Sequence, residues 1–327
     1  MKNILVVSEK PSVIRRIAPH VEQAWPGAKI TFCSILSIVN PRMRYPRGLS
    51  WADYPYIGTP QYTISPIYEC DPHKNPTGNV EMTELSQHNL KKGFDQIVYA
   101  CDPDHSGAVS FAIIFEGLLG EQVWTEYEFQ SVVLSALDHQ SIANAFRNLQ
   151  PFPIHFENEL AYGYAKRYLE WNWNTNSLAI LGEVLRRAGA KPYGGNNPFI
   201  SKYGLQALYF IERNPGHSIG GYFAAFDNWK GSGKYSVTRN FGSCVSRTAF
   251  FDQLIGMSLV ERISDSQYTV SATGVRFLEM LHKDCHDPDL PSRINAWGKE
   301  GLEKSKASMD RYIRTFFGKQ KNAMSTP

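Results

Sequence analysis

At 327 residues, 43% hydrophobic and 20% charged, the chain has the composition of an ordinary folded protein long enough for two domains, which excludes a disordered or low-complexity polypeptide. Its 34 basic and 31 acidic residues leave a net charge of +3, so any attraction to nucleic acid has to come from local basic patches. Five scattered cysteines without a CxxC pair, no leader before the first strand and no apolar run of membrane-spanning length fit a reduced, cytoplasmic protein.

Residues 2–7 form a β-rich run that closes in Ser8-Glu9-Lys10-Pro11-Ser12, which places a carboxylate at a strand end. Pro11 sets the turn, and Ser12 is the expected cap of a helix over 13–24. Residues 29–39 are again strand-like. The segment 40–66 mixes prolines with Arg42, Arg44, Arg47, Trp51, Tyr54 and Tyr56. Rings that stack on bases and arginines that meet phosphate suit single-stranded nucleic acid, and a surface loop packed by its own aromatics has the same composition. Residues 82–92 read as a helix leading to an apolar strand over 96–100.

That strand ends in Asp102-Pro103-Asp104, then Gly107 and an apolar helical stretch over 109–119. Two aspartates at the carboxyl end of a strand are a natural hard-cation site. Joined by Glu9, three carboxylates at two strand ends would hold one or two Mg²⁺ ions for phosphate chemistry. An Asp-Pro turn whose second aspartate caps the next helix gives the same residues. A last strand over 129–134 and a helix over 135–149 complete an α/β unit. Pro151 and Pro153 then mark a boundary, giving domains 1–148 and 149–327.

In the second half, 158–169 has small and aromatic residues at helical spacing, with Lys166, Arg167 and an i,i+4 pair of Lys166 with Glu170. A further helix over 200–213 contains Gln206. Residues 221–229 read as a strand, 230–233 as a turn, and 234–239 as an alternating strand that carries Tyr235 and Arg239. Helix, strand, a turn at Ser264-Asp265-Ser266, strand and helix then follow over 241–281. This is a winged-helix pattern, used for nucleic-acid grooves and for protein contacts alike, with Arg247 on its first helix. The stretch 299–321 is basic, as a solvated helix face can be. His282, Cys285 and His286 lack a fourth ligand at useful spacing and read as incidental.

ILVVSEKPSVIRRI at 4–17, followed by YACDPDHSG at 99–107, resembles the Toprim domain of type IA DNA topoisomerases. The resemblance implies that Glu9 is the essential acid, that Lys10 is the lysine beside it, and that Asp102 and Asp104 are the metal carboxylates, with Mg²⁺ as cofactor. His105 and Ser106 stand where the family has Arg-Glu, and Ala108 where it has a further glutamate. ISKYGLQALYFIER at 200–213 and FGSCVSRTAFFDQLIGMSLVER at 241–262 are similar to the family's later segments, with Gln206 kept and Gly204 in place of an arginine.

In that family the two domains form the groove that holds single-stranded DNA. Arg42, Arg44, Arg47, Lys166, Arg167, Gln206 and Arg247 become candidate DNA contacts. The family's gate domains, with their tyrosine nucleophile, would fall between Glu212 and Phe241, where this chain has fewer than thirty residues. The expectation is an α/β, Rossmann-like Toprim domain followed by a mainly helical, winged-helix-containing domain, binding single-stranded or junction DNA with Mg²⁺. Two alternatives stay open. One is a minimal topoisomerase or nicking enzyme that uses Tyr235 or another tyrosine with Mg²⁺, with Arg239 as the nearby cation, or a Toprim nuclease that acts through metal-bound water. The other is an accessory subunit of a DNA replication or transfer complex whose protein partner supplies the gate.

Overall fold

The computed structural model describes residues 1–36, 40–74, 82–85, 90, 93–235 and 241–325. Two compact units emerge: residues 1–44 with 61–164, and residues 45–60 with 165–327. The helix Glu157–Asn176 carries the chain from one to the other.

The first unit is a sheet with helices on both faces. Its strands are β1 (Asn3–Ser8), β2 (Lys29–Ser34), β5 (Tyr68–Cys70), β6 (Met82–Glu84), β7 (Gln96–Tyr99), β8 (Glu128–Ser131) and β9 (Gln150–Pro151), in the order β6-β5-β2-β1-β7-β8-β9. The four central strands run parallel, and β5, β6 and β9 add antiparallel edges. Alternation along β1 explains the layering. Leu5 and Val7 join a cluster with Phe111, Phe115 and Phe152, while Ile4 and Val6 join Ile14, Ile17 and Phe146 on the opposite face. All four β1 side chains are fully buried, as strands covered on both faces require. β3 (Arg42–Arg44) and β4 (Gln61–Thr63) form a separate small hairpin.

Local details differ from expectation. The first helix runs Pro11–Ala24 with Lys10 at its N-cap position, so Pro11 sits in the first turn, where its missing N–H costs nothing, and Ser12 caps nothing. Residues 82–84 are strand, not helix, because β5 offers Met82–Glu84 an open edge to pair with. The remainder of the expected 82–92 helix falls largely outside the described residues, as does the end of the expected 29–39 strand.

The second unit is mostly helical around a single core. The helix Glu157–Asn176 continues through a π-turn, Ser177–Leu181, into Gly182–Ala188. Helices Lys202–Arg213, Ile219–Asp227 and Cys244–Gly256 follow. Then come the antiparallel strands β10 (Val260–Arg262) and β11 (Tyr268–Val270), a helix Ala272–Glu279, and a long helix Leu290–Ser325 broken at Gly301, whose φ is 78°. The segment 221–229, expected as a strand, is helical as far as Asp227. Ser218 caps it, and Tyr222 and Phe226, four apart and both fully buried, give it a helical apolar stripe. Tyr235 ends a 3₁₀ turn, Gly233–Tyr235, instead of lying in the expected strand over 234–239, and Arg239 lies outside the described residues.

Candidate functional site

Parallel pairing of β1 with β7 brings Val7 opposite Tyr99, so the residues following both strands emerge at one edge of the sheet. Glu9 is buried there at 8% exposure. The Tyr99 hydroxyl donates to the Asp102 carbonyl at 2.5 Å. A Cβ on Gly107 would lie 2.7 Å from that carbonyl oxygen, 2.8 Å from Tyr99 Oη and 2.9 Å from Glu9 Oε1. Tyr99, Glu9, the Asp102 backbone and Gly107 therefore share one crowded point, and only glycine fits in it. Burial, and then the nearby charges of Cys101, Glu9, Asp104 and Asp102, hold the Tyr99 hydroxyl protonated far above its ordinary range. It can donate a hydrogen bond but not act as a phenoxide.

The two aspartates are exposed and differently employed. Asp104 caps the helix His105–Leu119, its Oδ1 accepting from the backbone N–H groups of Ser106 and Gly107, both at 2.8 Å. Among the described residues no three of His, Cys, Asp and Glu are grouped to hold a metal ion. The expected three-carboxylate Mg²⁺ cage of Glu9, Asp102 and Asp104 is therefore not preformed. Asp104 instead spends its Oδ1 on the two backbone N–H groups at the helix N-terminus. Lys10 is exposed. His105, standing where the resemblance leads one to expect arginine, packs its ring 4.6 Å from that of Tyr162.

A second constellation lies wholly within the second unit. A cavity of about 640 Å³ is lined by, among others, Lys166, Glu170, Ser201, Lys202, Tyr203 and Ser243. Two helices begin at its wall. Ser201 Oγ accepts from Gly204 N at 3.0 Å, and Ser243 Oγ accepts from Ser246 N at 3.3 Å, each capping its helix. The positive ends of two helix dipoles thus meet one cavity. Lys202 adds a charge at only 4% exposure, its ammonium 5.3 Å from the Tyr203 ring centre. Burial pushes the Glu170 carboxyl up, but the charges of Lys202, Arg167 and Lys166 together hold it below its ordinary value. The result is a cavity of net positive potential, with aromatic walls from Tyr193, Phe199 and Tyr203.

Of the other expected contacts, Arg42, Arg44 and Arg47 are exposed, with Arg44 bonded to Gln61 Oε1 at 3.0 Å. Gln206 and Arg247 are not presented to a ligand. Gln206 is 1% exposed and spans Cys285 O and Asp287 N at 2.9 and 2.8 Å. Arg247 is 6% exposed, ion-paired with Asp227 at 2.5 Å and bonded to the Phe241 and Phe223 carbonyls. Both side chains find so many acceptors or donors within the core that leaving it would orphan them.

The aromatic segment 45–60 is similarly committed. Asn172 clamps Gly58 through its N–H and carbonyl, and Asn176 clamps Tyr56 in the same way. Asn174 donates to the Tyr45 hydroxyl at 2.8 Å. The Tyr45 and Tyr56 rings lie against Trp171, with centroids 6.4 and 6.1 Å away. Sequence reasoning overlooked the clamps, whose only signal was the alternation of asparagines in Asn172-Trp173-Asn174-Thr175-Asn176. It also overlooked Lys202 and the two serine caps, which the rule that serine precedes a helix could have found.

No family profile matches the chain. The chain is 28% identical over 201 residues, 58% of its length, to DNA topoisomerase 1 of Pyrococcus horikoshii, and 25% identical over 200 residues to DNA topoisomerase 1 of Pyrococcus furiosus. Those stretches cover 28% and 18% of the two relatives, so the chain spans less than a third of either. The relationship is distant and points towards DNA.

Proposed function

We propose that the protein binds single-stranded or junction DNA as a reduced relative of the type IA topoisomerases, with a Toprim-like domain over 1–148 and a winged-helix-containing domain over 149–327. The cavity that carries two helix N-termini and Lys202 is the observation that supports this best. It offers oriented N–H groups and a buried ammonium to phosphate, and ring walls to bases. The exposed face of the helix Cys244–Gly256 has no cation of its own, since Arg247 points inward, so groove insertion by that helix is not part of the reading. Binding to the cavity needs no metal, and chelation leaves it intact; Mg²⁺ at Glu9, Asp102 and Asp104 would be a separate site at the strand ends.

Anisotropy of a labelled single-stranded oligonucleotide, titrated over a salt series, tests the proposal. Affinity falls steeply with salt, and Lys166→Ala reduces the slope by about 0.7. A salt-independent affinity, or a Lys166→Ala protein that binds like the parent, would sink it.

A second reading, strand cleavage, draws on Tyr235 as nucleophile, whose ring faces the Arg293 guanidinium at 5.1 Å. Nicks or topoisomers formed on supercoiled plasmid with Mg²⁺, and lost in Tyr235→Phe, would favour it. An accessory role beside a gate-bearing partner is what remains if binding is found without cleavage and a partner co-purifies. A cytoplasmic setting agrees with five free thiols, and no helix among the described residues is long and apolar enough to cross a membrane.

A further inference from the structure

A separate cavity of about 610 Å³ is lined from both sides of the Gly301 break in the helix Leu290–Ser325. Arg293, Trp297 and Glu300 come from before the break, Arg311 and Tyr312 from after it, and Tyr235 from the preceding turn. Arg293 is committed, facing Tyr235 and ion-paired with Asp287 at 3.4 Å and Asp289 at 3.9 Å. Arg311 and Glu300 are exposed and make no hydrogen bond or ion pair among the described residues. The Tyr312 hydroxyl is buried and turned to the Asp287 carboxylate. One cation and one anion are thus uncommitted beside ring surfaces.

This is an unusual set for a plain anion site, because Glu300 would repel the ion that Arg311 attracts. It is also too charged for an apolar ligand. A ligand that carries both an anionic group and a row of N–H donors on an aromatic ring satisfies both charges. We propose that this cavity takes one nucleotide, with its phosphate on Arg311, its base beside the Tyr235 and Trp297 rings, and Glu300 selecting a base that presents several N–H donors, as guanine does with N1–H and its amino group. The nucleotide can be free or part of a DNA strand, and only the second source rests on the DNA-binding reading above.

The test is calorimetric titration of the full chain with dGMP, dTMP and inorganic phosphate. dGMP should bind about tenfold more tightly than dTMP, and Glu300→Gln should erase that preference while leaving dTMP binding in place. Arg311→Ala should weaken both nucleotides by about tenfold. Both residues are exposed, so the variants are expected to fold, which circular dichroism checks. Failure of dGMP to saturate at millimolar concentration, equal binding of dGMP and phosphate, or unchanged binding in both variants would overturn the assignment.

Competition by a guanine-containing oligonucleotide identifies the strand as source, and its absence a free nucleotide. Lys166→Ala separates the two sites. It should weaken the oligonucleotide and spare dGMP. Loss of dGMP binding in Lys166→Ala, with none in Arg311→Ala, would move the nucleotide to the other cavity and refute this assignment while leaving the DNA reading standing.

Discussion

Arg247 shows how far a residue type can mislead. An arginine on the first helix of a winged-helix pattern invites a phosphate, yet here it is a strut that ties Asp227 and two carbonyls to the core. Arg247→Ala should therefore cost about 2–3 kcal/mol in urea denaturation, with oligonucleotide affinity of the folded fraction unchanged. A stable variant with weakened DNA binding would reverse the assignment.

Glu170 makes a pH prediction. Its carboxyl titrates below the ordinary 4.5 in the folded state, so the unfolded chain binds the proton more readily. The stability it contributes is complete above pH 4.5 and is lost as pH falls through the lower folded value. Glu170→Gln should flatten that acid limb in a series of melts across pH. It should also destabilise the protein at neutral pH, because buried Lys202 loses its counter-charge.

At the scale of elements, the helix Glu157–Asn176 organises the loop 45–60 through alternating asparagines. Asn172 and Asn176 lie one helical turn apart and each satisfies both polar groups of a loop peptide, a pairing that fixes Gly58 and Tyr56 without any sheet. Asn172→Ala strands an N–H and a carbonyl together and should cost about 2 kcal/mol, whereas Asn174→Ala loses one bond to the Tyr45 hydroxyl and should cost about 1 kcal/mol. Equal losses in chemical denaturation would contradict the clamp. The turn after β7 is as tightly determined. Gly107→Ala would push its methyl against the Asp102 backbone at 2.7 Å, a contact that no rotamer relieves, and a melting temperature equal to that of the parent would show that the turn is looser than described.

At the scale of the whole molecule, the DNA-binding reading proposed above predicts binding without strand passage. Between Arg213 and Phe241 the described chain contributes one helix of nine residues, Ile219–Asp227, and a 3₁₀ turn. Nothing of that size can arch over a DNA strand. With a net charge of only +3, affinity for DNA has to be concentrated at particular sites. The expected outcome with supercoiled plasmid and Mg²⁺ is unchanged topology alongside salt-sensitive binding of single strands. Relaxed topoisomers would make the chain an enzyme and bring Tyr235 forward.

The amino-acid order by itself determined the α/β unit. The β-rich runs at 2–7 and 96–100 read as strands, and the turn residues after them put Glu9, Asp102 and Asp104 at strand ends. It likewise determined the helix, hairpin and helix over 241–281 through the alternation of helix-like and strand-like runs around the turn at Ser264-Asp265-Ser266. What it could not determine is how polar side chains spend their hydrogen bonds, because partners distant in sequence compete for them. Only the tertiary structure decided that Asp104 caps a helix, that Gln206 and Arg247 serve the core, and that Ser201, Lys202 and Ser243, forty residues apart, meet at one positive cavity. The strand misread at 221–229 has the same cause. β-Prone rings at Tyr222 and Phe226 become helical when a core rewards the spacing of four over the spacing of two.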